Sequence, residues 1–242
     1  MNYKKQIRCY YCNKVGHKKL ACDINVNNAQ ALHNTNLIKS YVCLDSRVRP
    51  LVMIIKHWAQ RRDLNDAACG TLSSYTWTCM TLNFLQMHYP PILPVLKINE
   101  KENENELLEV KYKNNESIGG LLFAFFKWFA YDFDYENYVI SLRLGMCLNK
   151  WEKNWMHWKL CIEEPFNPER NLGNGVNNDR FKKIIQEFCR AVEYLHNANL
   201  ELCCEIYDEY EYDEFEYVAG IPLITLKALR KANLDSKKNE FE

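Results

Sequence analysis

Apolar residues along this chain recur mostly at helical spacing. Between residues 29 and 62 two such patterns occur, Leu32, Leu37, Ile38 and Tyr41 in the first and Val48, Leu51, Val52, Ile55 and Trp58 in the second, and each predicts an amphipathic helix. Asp45 is placed to cap the second, and Pro50 falls early enough in it to be tolerated. A third helix is predicted from Ser73 or Ser74 through YTWTCMTLNFLQM. It stops at Pro90 and Pro91, since proline lacks the donor the helix needs and disfavours helix in the residue before it. Ser117 caps a fourth over IGGLLFAFFKWFAYDF, whose aromatic density requires one face in a core. YVISLRL, residues 138 to 144, alternates as a strand does. Residues 160 to 176, LCIEEPFNPERNLGNGV, are rich in Pro, Gly and Asn and predict an ordered, turn-laden loop. An amphipathic helix over DRFKKIIQEFCRAVEYL follows, beginning near Asp179.

Two stretches lack any buried period. Residues 98 to 116 are polar and repetitive, as a surface loop is, and residues 197 to 242 read as an acidic, flexible tail. The head is the opposite: residues 1 to 22 carry Lys4, Lys5, Arg8, Lys14, Lys18 and Lys19 with no acid, which suits a polyanion. Over all 242 residues Lys+Arg and Asp+Glu are both 31, so net charge names no partner. A composition 48% hydrophobic is enough for one or two folded domains.

The chain has no run of eighteen apolar residues, and its start, MNYKKQIR, lacks the hydrophobic stretch of a signal peptide, so an intracellular, cytoplasmic protein without membrane partner is expected. In a reducing compartment the eleven cysteines read as buried residues or metal ligands rather than as a disulfide framework. Cys43, Cys79, Cys161 and Cys189 sit among apolar neighbours and are expected in the core. Cys203 and Cys204 are adjacent, too close for an easy disulfide, and are given no role.

Cys9, Cys12, His17 and Cys22 form C-x2-C-x4-H-x4-C, a spacing that lets two short turns set three thiolates and an imidazole around one tetrahedral Zn²⁺. Gly16 permits the tight turn, Tyr10 offers a face for an unpaired base, and the lysines between the ligands offer contacts to phosphate, so single-stranded RNA is the expected partner. Four protein ligands make such a site structural. In a second reading Cys22 is a buried residue leading into the extended DINV segment, which leaves three ligands.

From Asp23 onward the motifs DINVNNAQALHNTNLI, VRPLVMIIKHWAQRRDLND, GTLSSY, PPILPVL, GGLLFAFFKWFAYDFDY and IEEPFNPERNLG occur in one order over residues 23 to about 196. In this the chain resembles the poly(A) polymerase-associated family, the terminal uridylyltransferases and cytoplasmic poly(A) polymerases of the nucleotidyltransferase superfamily. The resemblance implies a mainly α fold. Its parts are a CCHC zinc knuckle (1–22), a remnant last strand of the catalytic domain (23–28), a central helical domain (29–97), a polar loop (98–116), and a poly(A) polymerase-associated domain (117–196) holding a nucleotide-recognition loop (160–176). The tail (197–242) follows. The implied activity is untemplated addition of UMP or AMP to RNA 3′ ends, from UTP or ATP, with Mg²⁺ or Mn²⁺.

A nucleotide pocket needs cations for the triphosphate, hydroxyls or amides for the ribose, and an aromatic face for the base. By resemblance Asn28, Asn34 and Thr35 face the sugar, Lys56 and Ser74 hold the phosphates, and Tyr75 stacks on the base; His57 and Trp58 are taken as packing residues. The sequence departs from the family twice. Where a second basic residue is usual one turn after Lys56, it has Gln60, with Arg61 beside it. Where uridine-adding members carry a histidine, it has Arg170 before Asn171, so the base preference stays open.

The resemblance makes Asp23 the third carboxylate of a two-metal site whose first two should stand upstream as Asp-x-Asp after a Gly-Ser loop. Residues 1 to 22 contain no Asp, Glu or Gly-Ser pair. One carboxylate cannot build that site, so the expectation is a chain without transferase activity of its own. Asp132 and Asp134 lie in the helical half and are not the missing pair. Two other readings stand beside this one: a nonenzymatic zinc-knuckle RNA-binding protein or pseudoenzyme, and a protein-interaction scaffold using the acidic aromatic tail.

Overall fold

The computed structural model describes residues 29–96 and 113–207. Cys9, Cys12, His17, Cys22, Asp23 and Asn28 lie outside the described residues, as do most of the polar loop and of the tail. Among the described residues no helix is long and apolar enough to cross a membrane.

Six helices and two small antiparallel hairpins make up the described fold. Helix α1 (Ala29–Leu44) is followed by α2 (Val48–Arg61), α3 (Ser74–Met87), α4 (Ile118–Lys127), α5 (Asn178–His196) and a short α6 (Leu200–Cys203). Strands β1 (Tyr138–Ser141) and β2 (Met146–Asn149) pair antiparallel, as do β3 (Glu163–Glu164) and β4 (Asn167–Asn171). Ile140 and Ile162 form an isolated parallel bridge between the hairpins.

The helix starts are set by side-chain oxygens that satisfy backbone donors the helix cannot. Ser73 accepts from Thr76 N, Ser117 from Gly120 N and Asn177 from Arg180 N. Asp45, expected to cap α2, stands two residues ahead of the observed cap: Arg47 occupies the N-cap, and Asp45 binds its backbone N and its guanidinium instead. Beyond α4 the chain continues as one π turn, Trp128–Asp132, where Phe133 N donates to Trp128 O. The π turn lets Phe129 and Phe133 both join the core.

That core lies where α2 packs on α3 and α4, and α4 on α5. Trp58 is fully buried between Trp77, Phe126 and Phe188, with ring centroids 4.7 to 5.6 Å away. Phe188 also meets Phe125 and Phe129. Each such ring contributes about 1.5–3 kcal/mol through burial, and the edge-to-face geometry adds to it. At the far end of α2, Arg62 grips Glu187 of α5 with two hydrogen bonds of 2.8 Å, both side chains buried.

Several expectations are corrected here. Segment 160–176 is a hairpin rather than a loop, since Glu163 pairs with Asn171 and Glu164 with Asn167 across a bulge. Cys43 is exposed, because the residues of α1 turned to the core are Leu37 and Tyr41; Leu32 is exposed on the same helix. His57 points to solvent, while Trp58 packs as expected. The folded unit also runs past 196: Cys203 is buried, Arg190 binds the carbonyls of Leu202 and Cys203, and Tyr207 N donates to Arg61 O.

Candidate functional site

One side of α1 presents Ala31, Asn34, Thr35 and Ile38, at helical spacings of three and four, to a cleft of about 330 Å³. Ser73 and Tyr75, at the start of α3, form a second wall. Glu164, Arg170 and Leu172, from the β3–β4 hairpin, form the third. The three walls come from distant parts of the chain, and Glu164 joins them.

The Glu164 side chain is almost wholly buried and takes four donors. Its Oε2 accepts from Gln30 Nε2 at 2.6 Å and from Phe166 N at 3.0 Å, while its Oε1 accepts from the Tyr75 hydroxyl at 3.1 Å. The Asn34 amide, oriented with its nitrogen toward the acceptors around it, reaches Gln30 O and Glu164 Oε1, both at 3.2 Å. A carboxylate offers about four lone-pair directions, so this one is saturated, which is what makes its burial tolerable. Burial pushes the Tyr75 hydroxyl far above its ordinary value, with Cys79 and Glu164 adding to the effect. Tyr75 therefore stays protonated and donates, and its ring is held in one place. The His33 and Phe166 rings, 5.5 Å apart, close the same seam between α1 and the hairpin.

The expected site residues fall into two groups. Asn34, Thr35, Tyr75 and Arg170 come together in the cleft lining. The Thr35 hydroxyl donates to Ala31 O at 2.7 Å, which leaves its lone pairs for a ligand donor. Arg170 is exposed at the rim. Lys56, half-buried on α2, and Ser74, which exchanges hydrogen bonds with Asn65, are not part of the lining; Ser73 takes the place expected of Ser74. Arg61, the nearest candidate for the displaced second cation, donates through Nε to Cys204 O at 3.0 Å and is engaged by the C-terminal segment.

Asn171 lies outside the cleft lining. It is buried, its Oδ1 accepts from Ile162 N and Gly173 N, and its Nδ2 donates to Leu160 O. It ties the hairpin to its own base. Glu164, in turn, was not singled out in the sequence. A pair of glutamates before Pro-Phe looks like solvated turn residues until the fold buries both.

The neighbouring Glu163 supports the hairpin from behind. Ser141 Oγ donates to it at 2.6 Å, Lys153 Nζ at 2.7 Å and Arg143 Nη2 at 3.0 Å. Burial alone would raise its carboxyl, but these donors together hold it below its ordinary value. Alternate residues of a strand point to opposite faces, so Glu163 is clamped toward β1 while Glu164 is delivered to the cleft.

Among the described residues no cluster of three or more His, Cys, Asp or Glu forms a metal site. The described residues thus do not fit a divalent-metal pair, and the site can bind and orient a nucleoside-sized ligand with an aromatic ring, amide and hydroxyl groups, and a guanidinium.

Residues 117–170 match the family model for the Cid1 family of poly(A) polymerases. The chain is 43% identical over 207 residues to the poly(A) RNA polymerase cid13 of Schizosaccharomyces pombe, an alignment covering 77% of this chain and 36% of that protein. A solved cytoplasmic RNA terminal U-transferase is similar with a TM-score of 0.68 and 33% identity, covering 77% of this chain and 65% of that one. A structure of Cid1 in complex with the UTP analogue UMPNPP is similar with a TM-score of 0.65 and 32% identity, covering 74% of this chain and 65% of that one. The chain thus spans little more than a third of the curated relative's length.

Proposed function

We propose, from its similarity to a poly(A) RNA polymerase and to a cytoplasmic RNA terminal U-transferase, that the cleft of this chain is the nucleoside pocket of a terminal RNA nucleotidyltransferase, taking ATP or UTP. The observation that carries the reading is the convergence of Asn34, Thr35, Tyr75, Glu164 and Arg170 on one cleft. The Tyr75 ring offers the base a stacking face, Asn34 and Thr35 offer the ribose an amide and a hydroxyl, and Arg170 adds charge at the rim. The N-terminus of α3, at Ser73, opens on the cleft and suits the anionic end of the ligand. Lys56 and Ser74, outside the lining, are proposed to hold the distal phosphates.

The finer parts of this reading rest on the sequence. Cys9, Cys12, His17 and Cys22 are proposed to hold a structural Zn²⁺ and to grip single-stranded RNA near its 3′ end. The family reaction implies a divalent metal, Mg²⁺ or Mn²⁺, which would supply positive charge at the triphosphate when bound. Asp23 is proposed as one of its carboxylates. The described residues hold no acidic cluster that would complete the set, and for them we propose nucleotide binding without transfer.

Calorimetric titration of the zinc-loaded chain with ATP, UTP, CTP and GTP, followed by extension of a labelled RNA oligonucleotide with Mg²⁺ or Mn²⁺, tests both halves. Saturable binding of ATP or UTP that is lost in Tyr75→Ala is expected, with no extension. A folded chain that binds none of the four removes the pocket reading. Extension that disappears in Asp23→Ala removes the claim of incompetence and names the base.

A further inference from the structure

We propose that Lys150 is a positioning residue for the cleft: its ammonium group, held in a cage of three carbonyls, fixes the stretch of chain that delivers Glu164. The inference rests on the nucleoside-pocket reading and adds to it a residue outside the cleft lining.

A lysine is almost never fully buried unless its donors are engaged, because an unpaired charge away from water is costly. Lys150, directly after β2, is 2% exposed. Its Nζ donates to Tyr135 O at 2.6 Å, to Trp158 O at 2.6 Å and to Lys159 O at 3.1 Å. An ammonium carries three N–H groups and no lone pair, so the cage matches it donor for donor, whereas a neutral amine would turn a lone pair on one of the carbonyls. Burial pulls the ammonium below its ordinary value, a cost that the carbonyl dipoles offset.

The cage joins segments that the sequence separates. Tyr135 follows the π turn; its ring packs on Phe133 and Phe181 and its hydroxyl donates to Phe129 O, which anchors that carbonyl in the helical core. Lys150 N donates to Asn137 O and Lys150 O accepts from Trp155 N, so the lysine itself is held from both sides. Trp158 and Lys159 are the entrance to the hairpin. Only Leu160, Cys161 and Ile162 separate Lys159 from β3, and each is tied: Leu160 O accepts from Asn171 Nδ2, Cys161 O from Ile140 N, and Ile162 N donates to Asn171 Oδ1. From there β3 carries Glu163 to its clamp and Glu164 to the Tyr75 hydroxyl. The ammonium thus sets one end of a short run, bonded at every residue, whose other end is the cleft wall. Removing it leaves three acceptors short of a donor and the wall without its support.

The test compares the unaltered chain with Lys150→Met, which keeps the apolar stem and loses the donors. Expected are a cooperative thermal melt of the helical body, faster hydrogen exchange of the Ile162, Leu172 and Gly173 amides, and an affinity for ATP or UTP lower by about tenfold or more in calorimetric titration. Propylammonium added to Lys150→Ala refills the cage and should restore both readings; tetramethylammonium, of equal charge and without N–H, should restore neither. Unchanged affinity in Lys150→Met overturns the proposal. So does faster exchange spread evenly over α2 to α5, the mark of a merely structural loss, and so does a Lys150→Ala chain that propylammonium fails to restore. An unaltered chain that binds no nucleotide removes the pocket reading instead, and the exchange readings, which need no ligand, then decide whether Lys150 positions the hairpin.

Discussion

Tyr75 in the first turn of α3 and Glu164 in β3 stand 89 residues apart in the chain and meet through a single hydrogen bond of 3.1 Å. The bond fixes an aromatic ring at the mouth of the cleft using a carboxylate that three further donors already hold. Separating the ring from the hydroxyl is therefore the first experiment the site invites.

Tyr75→Ala is expected to weaken nucleotide binding by about tenfold or more, the roughly 1–3 kcal/mol that an aromatic face supplies to a stacked base. Tyr75→Phe keeps the ring and leaves Glu164 short of one donor, so its cost is expected in thermal stability, about 1–3 kcal/mol, with a smaller effect on binding. Titrations and melts of the two variants separate the roles; equal loss of affinity in both would mean that the ring does not stack.

Arg170 lines the cleft, at the position where the resemblance to uridine-adding members implies a histidine. Arg170→His is expected to raise the ratio of UTP to ATP affinity, read from parallel titrations. An unchanged ratio would show that the base is chosen elsewhere.

The Glu163 carboxyl sits below its ordinary value of 4.5 because Arg143, Lys153 and Ser141 outweigh burial. The folded chain thus binds this proton less readily than the unfolded chain. Its contribution to stability is complete above about that ordinary value and is lost as pH falls through the folded one. Melting temperatures of the chain and of Glu163→Gln should differ at pH 6 and converge on acidification. A gap that widens on acidification would reverse the sign.

Arg62→Met and Glu187→Gln each strand the partner of a buried, doubly bonded pair, and each is expected to cost about 3–5 kcal/mol in urea unfolding. Replacing both by apolar residues should recover much of that loss, because no charge is then left alone. Costs that simply add in the double variant would argue against the pair acting as a unit.

A Cβ at Gly173 would stand 2.4 Å from the Leu160 carbonyl oxygen, backbone against side chain with nothing flexible to yield. Gly173→Ala should displace the β3–β4 hairpin, lowering both stability and nucleotide affinity. Ala substituted at the open Gly119, where the nearest atom lies at 3.9 Å, should leave affinity unchanged.

The helices were legible because their signals are local: caps and period place the starts of α3, α4 and α5 within a residue. The hairpin at 160–176 was not, since its strands are too short to show alternation and their pairing depends on Asn171 reaching back to Leu160 and Ile162. In the cleft, the ring and amides could be read from motif order, whereas Glu164 becomes visible only once Gln30, from the other end of the fold, is brought against it. The place of Asn171 was hidden for the same reason, its neighbours in space being backbone atoms that no side-chain pattern reveals. Past residue 196 the acidic composition hid a docked segment held by arginines of α2 and α5.

The Gln30 to Glu164 bond crosses 134 residues of chain, so the cleft exists only while α1 is seated. A ligand that touches both sides favours the seated arrangement by thermodynamic linkage, in proportion to its concentration over its dissociation constant. On the proposed nucleotide reading, supply becomes a variable of architecture: how firmly the first helix is held should rise and fall with the triphosphate around it, and hydrogen exchange of α1 amides would read that occupancy without any chemistry being performed.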